Sequence, residues 1–381
     1  MGKQSKKITP MESSKPSLIT LYMIILLFLI IAGAIIGYRL LSFNIIRGYL
    51  LSDQPEMNQK AERILLEKGQ DAVSYLHKML YSKNSTLIIK LKPTLEKVHD
   101  KVFERILPEL EEILGDTPSE TTDSVSAVLF SRGNVYNKIP DKNGFLWVKR
   151  YENNKRILIS LLSFQLIHSA ESAYRAAAAK KLGEIADSRA TERLTAALLN
   201  DADWHVRENC AESIGAIGNK TATNILINCL RKDPISFVRS ACAASLGKIK
   251  TEDSYYVLLN SFILDNDSSV RFWSAMALGD LGDGRAVPYM LECIKNEPDS
   301  DLKTALFECI LKLDTNKSAI PTFMELLESD PNSEVRYLAA RSLGRLSAID
   351  AIQVLEKASI SDPDESVREE SINALHKIQS R

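Results

Sequence analysis

Residues that could do acid–base or metal chemistry are few and scattered in this sequence. Its histidines are isolated and none is followed by glutamate: His77, His99, His168, His205 and His376. Its cysteines form no C-x-x-C pair, and no histidine stands near them at metal-ligand spacing: Cys210, Cys229, Cys242, Cys293 and Cys309. We interpret them as small buried residues. The phosphate loop G-x-x-x-x-G-K-[ST], the zinc helix H-E-x-x-H and the nucleophile turn G-x-S-x-G are absent. We therefore expect no catalytic residue, metal or cofactor, and no enzymatic activity.

Another set of charged residues recurs at constant spacing. Val-Arg dipeptides contain Arg207, Arg239, Arg271, Arg336 and Arg368. Leu302-Lys303 fills the one long interval, and Tyr174-Arg175 extends the series upstream. An acid stands six residues before each of the cations from Arg207 onward: Asp201, Asp233, Asp265, Glu297, Asp330 and Asp362. We interpret these charges as a structural ladder, in which each cation contacts the carboxylate of its own or of the adjacent repeat.

These charges recur every 32 or 33 residues, and such a period is the mark of a repeat protein. Seven consecutive repeats are present, and in each of them apolar residues fall at helical spacing over two short segments. Glycine follows most of the cations by eight residues, and Gly282 and Gly284 lie where the two helices of one repeat should join. The pattern predicts an all-α solenoid of helix pairs, because one pair cannot bury its apolar face alone.

Small residues occupy one column of the Val-Arg helices, which should let neighbouring helices approach closely: Ala179, Ala211, Ala243, Ala275 and Ala340. Cys210 and Cys242 are equivalent positions one repeat apart, and Cys229 and Cys293 are equivalent two repeats apart. Stacked helices are about 8–10 Å apart, which is too far for a disulfide between equivalent positions.

The consensus D-P-x-x-x-V-R-x-x-A-A-x-x-L-G-x-I-G resembles the HEAT-like repeats of the phycobilisome-lyase type. The resemblance is strong over residues 156–381 and weak over residues 50–115, which we interpret as degenerate helical repeats. It implies an interaction scaffold, and an accessory or lyase-like subunit related to bilin lyases is the alternative. Deoxyhypusine hydroxylase has similar repeats with His-Glu pairs that bind two irons, and those pairs are missing here. Residues 116–155 break the pattern, and we expect an irregular insertion there with a short hairpin as one option.

The N-terminal segment predicts a single transmembrane helix over residues 18–38. Its 21 uncharged residues would span about 31 Å as a helix, close to the thickness of a hydrocarbon core. Four lysines precede the segment, in a basic tail over residues 1–17. The positive-inside rule therefore favours a cytoplasmic N-terminus and a periplasmic or extracellular repeat domain. Cleavage after Ala34, as in a signal peptide, is the alternative.

The overall composition favours a protein partner over a nucleic acid. The net charge of −1 gives no basic footprint, and 45% hydrophobic residues are ordinary for a folded protein. We expect no small-molecule substrate. On the exposed, concave side of the Val-Arg helices, we predict that the partner binds to Phe272, Trp273, Met276, Tyr337 and Arg341. Alternatively, Phe272 and Trp273 fill space beside small neighbours in the core.

Overall fold

The computed structural model describes residues 18–82, 84–98, 100–114, 119–131 and 153–380. The chain divides into two compact units, which we call the N-terminal unit (residues 1–113) and the C-terminal unit (residues 114–381). The predicted basic tail lies outside the described residues, as does most of the predicted insertion.

The N-terminal unit consists of helices among its described residues. A 3₁₀ turn at Gly69–Asp71 leads into the third helix, as a similar turn at Gly284–Ala286 leads into a helix of the C-terminal unit. The interpretation of residues 50–115 as degenerate repeats stays a prediction. The helices are α1 (Leu18–Leu51), α2 (Pro55–Glu67), α3 (Ala72–Tyr81), α4 (Ser85–Lys97) and α5 (Asp100–Leu114).

Helix α1 changes its environment along its length. Residues 26–31 expose 45–70% of their surface, whereas Ile46 and Leu50 are 1% exposed, and α1 packs against α2 and α4. Over Leu26–Leu51 the helix is long and apolar enough to cross a membrane, a criterion that an N-terminal signal sequence also meets. The helix continues past residue 38, the predicted end of the transmembrane segment, and its last turns contain the buried residues Ile46 and Leu50.

The C-terminal unit is an all-α solenoid in its described part, as predicted. It begins with α6 (Glu120–Ser131), and seven helix pairs follow. The first helices of the pairs are α7 (Lys155–His168), α9 (Thr191–Asn200), α11 (Thr223–Lys232), α13 (Ser254–Leu264), α15 (Val287–Asn296), α17 (Ile320–Ser329) and α19 (Ile352–Ser361). The second helices, which we call the Val-Arg helices, are α8 (Ser172–Ile185), α10 (Trp204–Ile217), α12 (Ser236–Ile249), α14 (Ser268–Leu281), α16 (Ser300–Leu313), α18 (Ser333–Arg345) and α20 (Glu365–Gln379).

The prediction of an irregular insertion is wrong for residues 120–131, which form α6. Its apolar residues Val125, Val128 and Leu129 lie at helical spacing and are at most 1% exposed, so the helix is held by burial on the solenoid side. The hairpin option falls mainly on residues outside the described part of the chain.

The ends of the helices follow from local chemistry. Asp203 accepts a backbone hydrogen bond at the start of α10, and Asp267 does the same at the start of α14. Gly218 and Gly282 end these two helices with φ of 72° and 77°, in the left-handed region that favours glycine. Gly284 begins a 3₁₀ turn without a positive φ, so only Gly282 of the two glycines between α14 and α15 adopts the left-handed backbone; this connection joins one helix pair to the next.

The recurring glycine of the Val-Arg helices marks a very close approach of neighbouring helices. A Cβ added to Gly247 would lie 2.7 Å from the Ala277 Cα, and one added to Gly183 would lie 2.9 Å from the Ser213 Cα. Ser213 also donates a 2.8 Å hydrogen bond to the carbonyl of Ala179 on the preceding Val-Arg helix. The predicted column of small residues is fully buried: Ala179, Ala211, Ala243, Ala275 and Ala340. In the fifth repeat Leu311 replaces the glycine.

Candidate functional site

The charge ladder joins each repeat to the next one. Arg207 donates from Nε and Nη2 to the two carboxylate oxygens of Asp233, at 2.8 and 3.1 Å. Its Nη1 donates to the carbonyl oxygens of Asp201 and Ala202, in the turn before its own helix. The sequence left open which repeat supplies the carboxylate, and the structure places it in the following one. Each guanidinium thus ties its own turn to the next turn.

The same contact recurs along the solenoid. The carboxylates are nearly buried, with exposed side-chain fractions of 4–12%. The other pairs are Arg175–Asp201, Arg239–Asp265, Arg271–Glu297, Lys303–Asp330 and Arg336–Asp362. Arg368 donates only to the carbonyls of Asp362 and Pro363, and it has no carboxylate partner among the described residues.

These contacts also lower the pKa of two of the ladder acids, Asp201 and Asp362. Burial raises the pKa of Asp201, but hydrogen bonds from Arg175 and from the Asp203 backbone outweigh it, so that the pKa lies below its ordinary value. The pKa of Asp362 is lowered in the same way by Arg336. The ladder residues are thus engaged with one another, which is the geometry expected of a structural role.

The proposed partner-binding residues of α14 form one half-open cluster. Trp273 is 43% exposed, Phe272 is half-buried, and their rings meet edge to face at 5.4 Å. The Met276 sulfur lies 3.9 Å from that of Cys309 on the next Val-Arg helix. Beside the aromatic pair is a shallow groove of about 410 Å³, whose other walls include Thr304 of α16. Both rings can therefore contact a partner, although each also rests on the solenoid.

Tyr337 and Arg341 lie on α18, and α16 stands between them and the α14 cluster. Tyr337 is half-buried and Arg341 is exposed. Glu308 of α16 pairs with Arg345 of α18 at 2.9 Å. The predicted surface thus falls into an aromatic part on α14 and a smaller part on α18.

The other end of this surface is acidic and aromatic. Burial and the neighbouring Glu212 raise the pKa of Glu208 on α10. Trp204, on the same helix, stacks at 5.3 Å on Phe237 of α12, and Phe237 is 55% exposed. This aromatic pair was not predicted from the sequence. The signal was present, because both aromatics stand two or three residues before a ladder cation.

The cysteines and the histidines that the structure describes have ordinary surroundings. The His77 Nδ1 atom contacts a carboxylate oxygen of Glu109, and the His205 ring stacks on Trp204. Cys293 is half-buried, and the other four cysteines are buried, as predicted. Burial raises the pKa of the Cys293 and Cys309 thiols to about 11. No group of three metal-ligating side chains occurs in the part of the chain that the structure describes.

Comparisons with known proteins agree with this architecture. A family model described as HEAT repeats matches residues 159–247, 238–311 and 308–376, which together exceed half of the chain. A comparison with curated proteins gives no match.

Several solved structures are similar in fold. The complex of CpcE and CpcF of phycocyanin lyase from Nostoc sp. PCC7120 is 22% identical, with a TM-score of 0.38 over 58% of this chain and 94% of that chain. Human deoxyhypusine hydroxylase is 19% identical, with a TM-score of 0.31 over 74% of this chain and 99% of that chain. A mutant of Kap121p is 11% identical, with a TM-score of 0.45 over 88% of this chain and 42% of that chain. These likenesses concern the fold alone.

Proposed function

Because this chain belongs to the HEAT-repeat family, we propose that it is a membrane-anchored scaffold that binds a protein partner along the exposed side of its Val-Arg helices. It carries out no chemistry of its own in this proposal. The observation that carries it is the edge-to-face pair of Phe272 and Trp273 beside a groove. Aromatic side chains that are half exposed in such a setting are frequent energetic anchors of interfaces.

Helix packing supports the choice of this side. In a curved stack of helices, those on the inner side lie closest together. The Val-Arg helices approach each other backbone to backbone at Gly183, Gly215 and Gly247. The side of the Val-Arg helices that faces away from the first helices therefore suits the concave face of the solenoid, where repeat proteins commonly hold a partner. The surface continues over α18, through Tyr337 and Arg341.

A double variant, Phe272→Ala with Trp273→Ala, tests the interaction surface. Crosslinking in native membranes followed by quantitative mass spectrometry should show that a specific partner is lost, because truncating an interface anchor costs about 2 kcal/mol or more. The matched control is Tyr256→Ala with Ile360→Ala, since these residues are 70% and 82% exposed but lie on the first helices of their pairs. The control should retain the partner.

The melting temperature decides between an interface and a core. If the aromatic pair fills the core, the double variant melts well below the wild type, whereas an interface pair changes binding with little change in melting. Unchanged capture of every partner by the double variant would disprove the site. A chromophore that co-purifies with the chain would favour the lyase-like alternative.

We propose that α1 is the anchor, with the N-terminus in the cytoplasm and the repeats outside it. The lysine-rich sequence before α1 and the exposed apolar residues 26–31 support this arrangement. The full chain should remain in the membrane pellet after alkaline carbonate extraction, and protease added to intact spheroplasts should degrade the repeats. If the chain is released instead and its mass is that of a protein that starts after Ala34, the segment is a cleaved signal peptide. Full protection of the repeats would show the opposite orientation.

A further inference from the structure

A groove in the N-terminal unit combines an apolar wall with a cationic one. The apolar wall is formed by Ile31, Ala34 and Ile35 of α1, and the polar wall includes Lys68 and Arg105. The groove has a volume of about 690 Å³ and is open along its outer side. Its apolar side chains are exposed, at 47% for Ile31 and 51% for Ile35. They belong to the same turns of α1 that we propose to lie in the membrane.

The two cations are held in place without being neutralised by a carboxylate. Lys68 Nζ lies 4.6 Å from the centroid of the Tyr75 ring, and Arg105 Nη1 donates to the Gln70 side-chain oxygen at 3.5 Å. Neither cation is paired with a carboxylate among the described residues. Asp71 is the single acid in the described lining, which leaves a net charge of +1 from two cations and one acid.

We propose that this groove binds an anionic phospholipid, with its phosphate held between Lys68 and Arg105 and an acyl chain along Ile31 and Ile35. The inference rests on the proposed membrane anchor. The two walls have the chemistry of the two parts of such a lipid, since a guanidinium and an ammonium bind phosphate and branched aliphatic residues contact hydrocarbon. A free phosphate ion would leave the apolar wall in water. A zwitterionic lipid would bring its own cation next to Lys68 and Arg105.

The test uses the full chain, purified in detergent and titrated with phosphatidylglycerol, with phosphatidylcholine or with inorganic phosphate. Native mass spectrometry counts the bound molecules. We expect phosphatidylglycerol to bind well above phosphatidylcholine, and inorganic phosphate not to bind. A Lys68→Gln, Arg105→Gln variant should bind phosphatidylglycerol about 25-fold more weakly, because a cation near an anionic lipid surface contributes about fivefold.

The matched control is Arg63→Gln with Lys92→Gln, which removes the same charge from α2 and α4 outside the groove lining. The control should bind phosphatidylglycerol as the wild type does. Equal binding of the two lipids, equal loss in both double variants, or binding of inorganic phosphate alone would overturn the proposal. Carbonate extraction separates this failure from failure of the anchor. A chain that stays in the membrane pellet but shows no lipid preference loses only the lipid site.

Discussion

Substituting alanine for Gly247 tests whether the close approach of the Val-Arg helices stabilises the solenoid. In most helices this change adds up to about 1 kcal/mol of stability, because glycine loses more backbone entropy on folding. Here the added Cβ would lie 2.7 Å from the Ala277 Cα and 2.8 Å from its Cβ. Carbon atoms in favourable contact are about 3.5–4.0 Å apart, so helices α12 and α14 must separate.

The magnitude follows from the rigidity of what the Cβ meets. A backbone atom cannot rotate away as the end of a long side chain can, and overpacking in a core typically costs about 1–3 kcal/mol. Subtracting a propensity gain of about 1 kcal/mol from a central overpacking cost of about 2 kcal/mol leaves a destabilisation of the C-terminal unit by about 1 kcal/mol in Gly247→Ala. For a domain of this size, that loss lowers the melting temperature by about 2–4 °C.

Circular dichroism at 222 nm would follow melting of the full chain in detergent, and hydrogen exchange with mass spectrometry would locate the change to α12 and α14. The control is Gly48→Ala in α1, where an added Cβ meets nothing within 4 Å and should cause no loss. A second variant, Ala277→Gly on the Gly247→Ala background, should rescue only in part, since the contact with the backbone Cα remains. Wild-type melting of Gly247→Ala, or complete rescue, would refute the reasoning.

Other predictions concern single contacts. Lys303 makes one 2.9 Å contact with Asp330 where the paired arginines make two contacts with their carboxylates. Lys303→Arg should therefore raise the free energy of unfolding by up to about 1 kcal/mol and move the urea midpoint upward, and a lower midpoint would contradict this. The pKa of Asp201 is lowered, because its hydrogen bond from Arg175 prevails over burial, so its stabilisation is present above the unfolded value near pH 4 and is lost as pH falls through the folded value. Acid unfolding should therefore be less steep in Asp201→Asn, as measured by fluorescence. Burial raises the pKa of Cys309 to about 11, so iodoacetamide at pH 8 should label it only after unfolding, and rapid labelling of the native chain would count against its burial.

The sequence predicted the solenoid because its signal is repeated. Seven copies of one pattern predict the helix pairs, and the buried column from Ala179 to Ala340 follows from the same alignment of repeats. The carboxylate partner of Arg207 could not be predicted from the sequence. Asp201 and Asp233 lie six and 26 residues away, and only packing of successive repeats brings Asp233 against the guanidinium. Helix α6 was not predicted, because the sequence before Glu120 is rich in residue types that favour turns, and the helical spacing of apolar residues from Val125 to Leu129 is short.

The candidate surface was predicted only as a set of positions. Helical spacing places Phe272 and Met276 on one face, but their exposure depends on what the neighbouring helix supplies there. The neighbour offers Thr304 beside Phe272 and the Cys309 sulfur beside Met276. The small Thr304 leaves a groove beside Phe272, whereas the Cys309 sulfur fills the space beside Met276. Periodicity alone cannot separate these outcomes, because both are consistent with small neighbouring residues.

The ladder also bears on how such an array can change its length. Each ladder arginine from Arg175 to Arg336 is joined to a carboxylate 26 residues downstream, and the repeat measures 32 residues over most of the solenoid. Loss of residues 208–239 by recombination between repeats would bring Asp265 into the place of Asp233, and Arg207 would keep a partner. Duplication of the same segment would likewise leave no charge unpaired. The 33-residue step from Lys303 to Arg336 lacks this property, so a crossover there would shift the register by one residue.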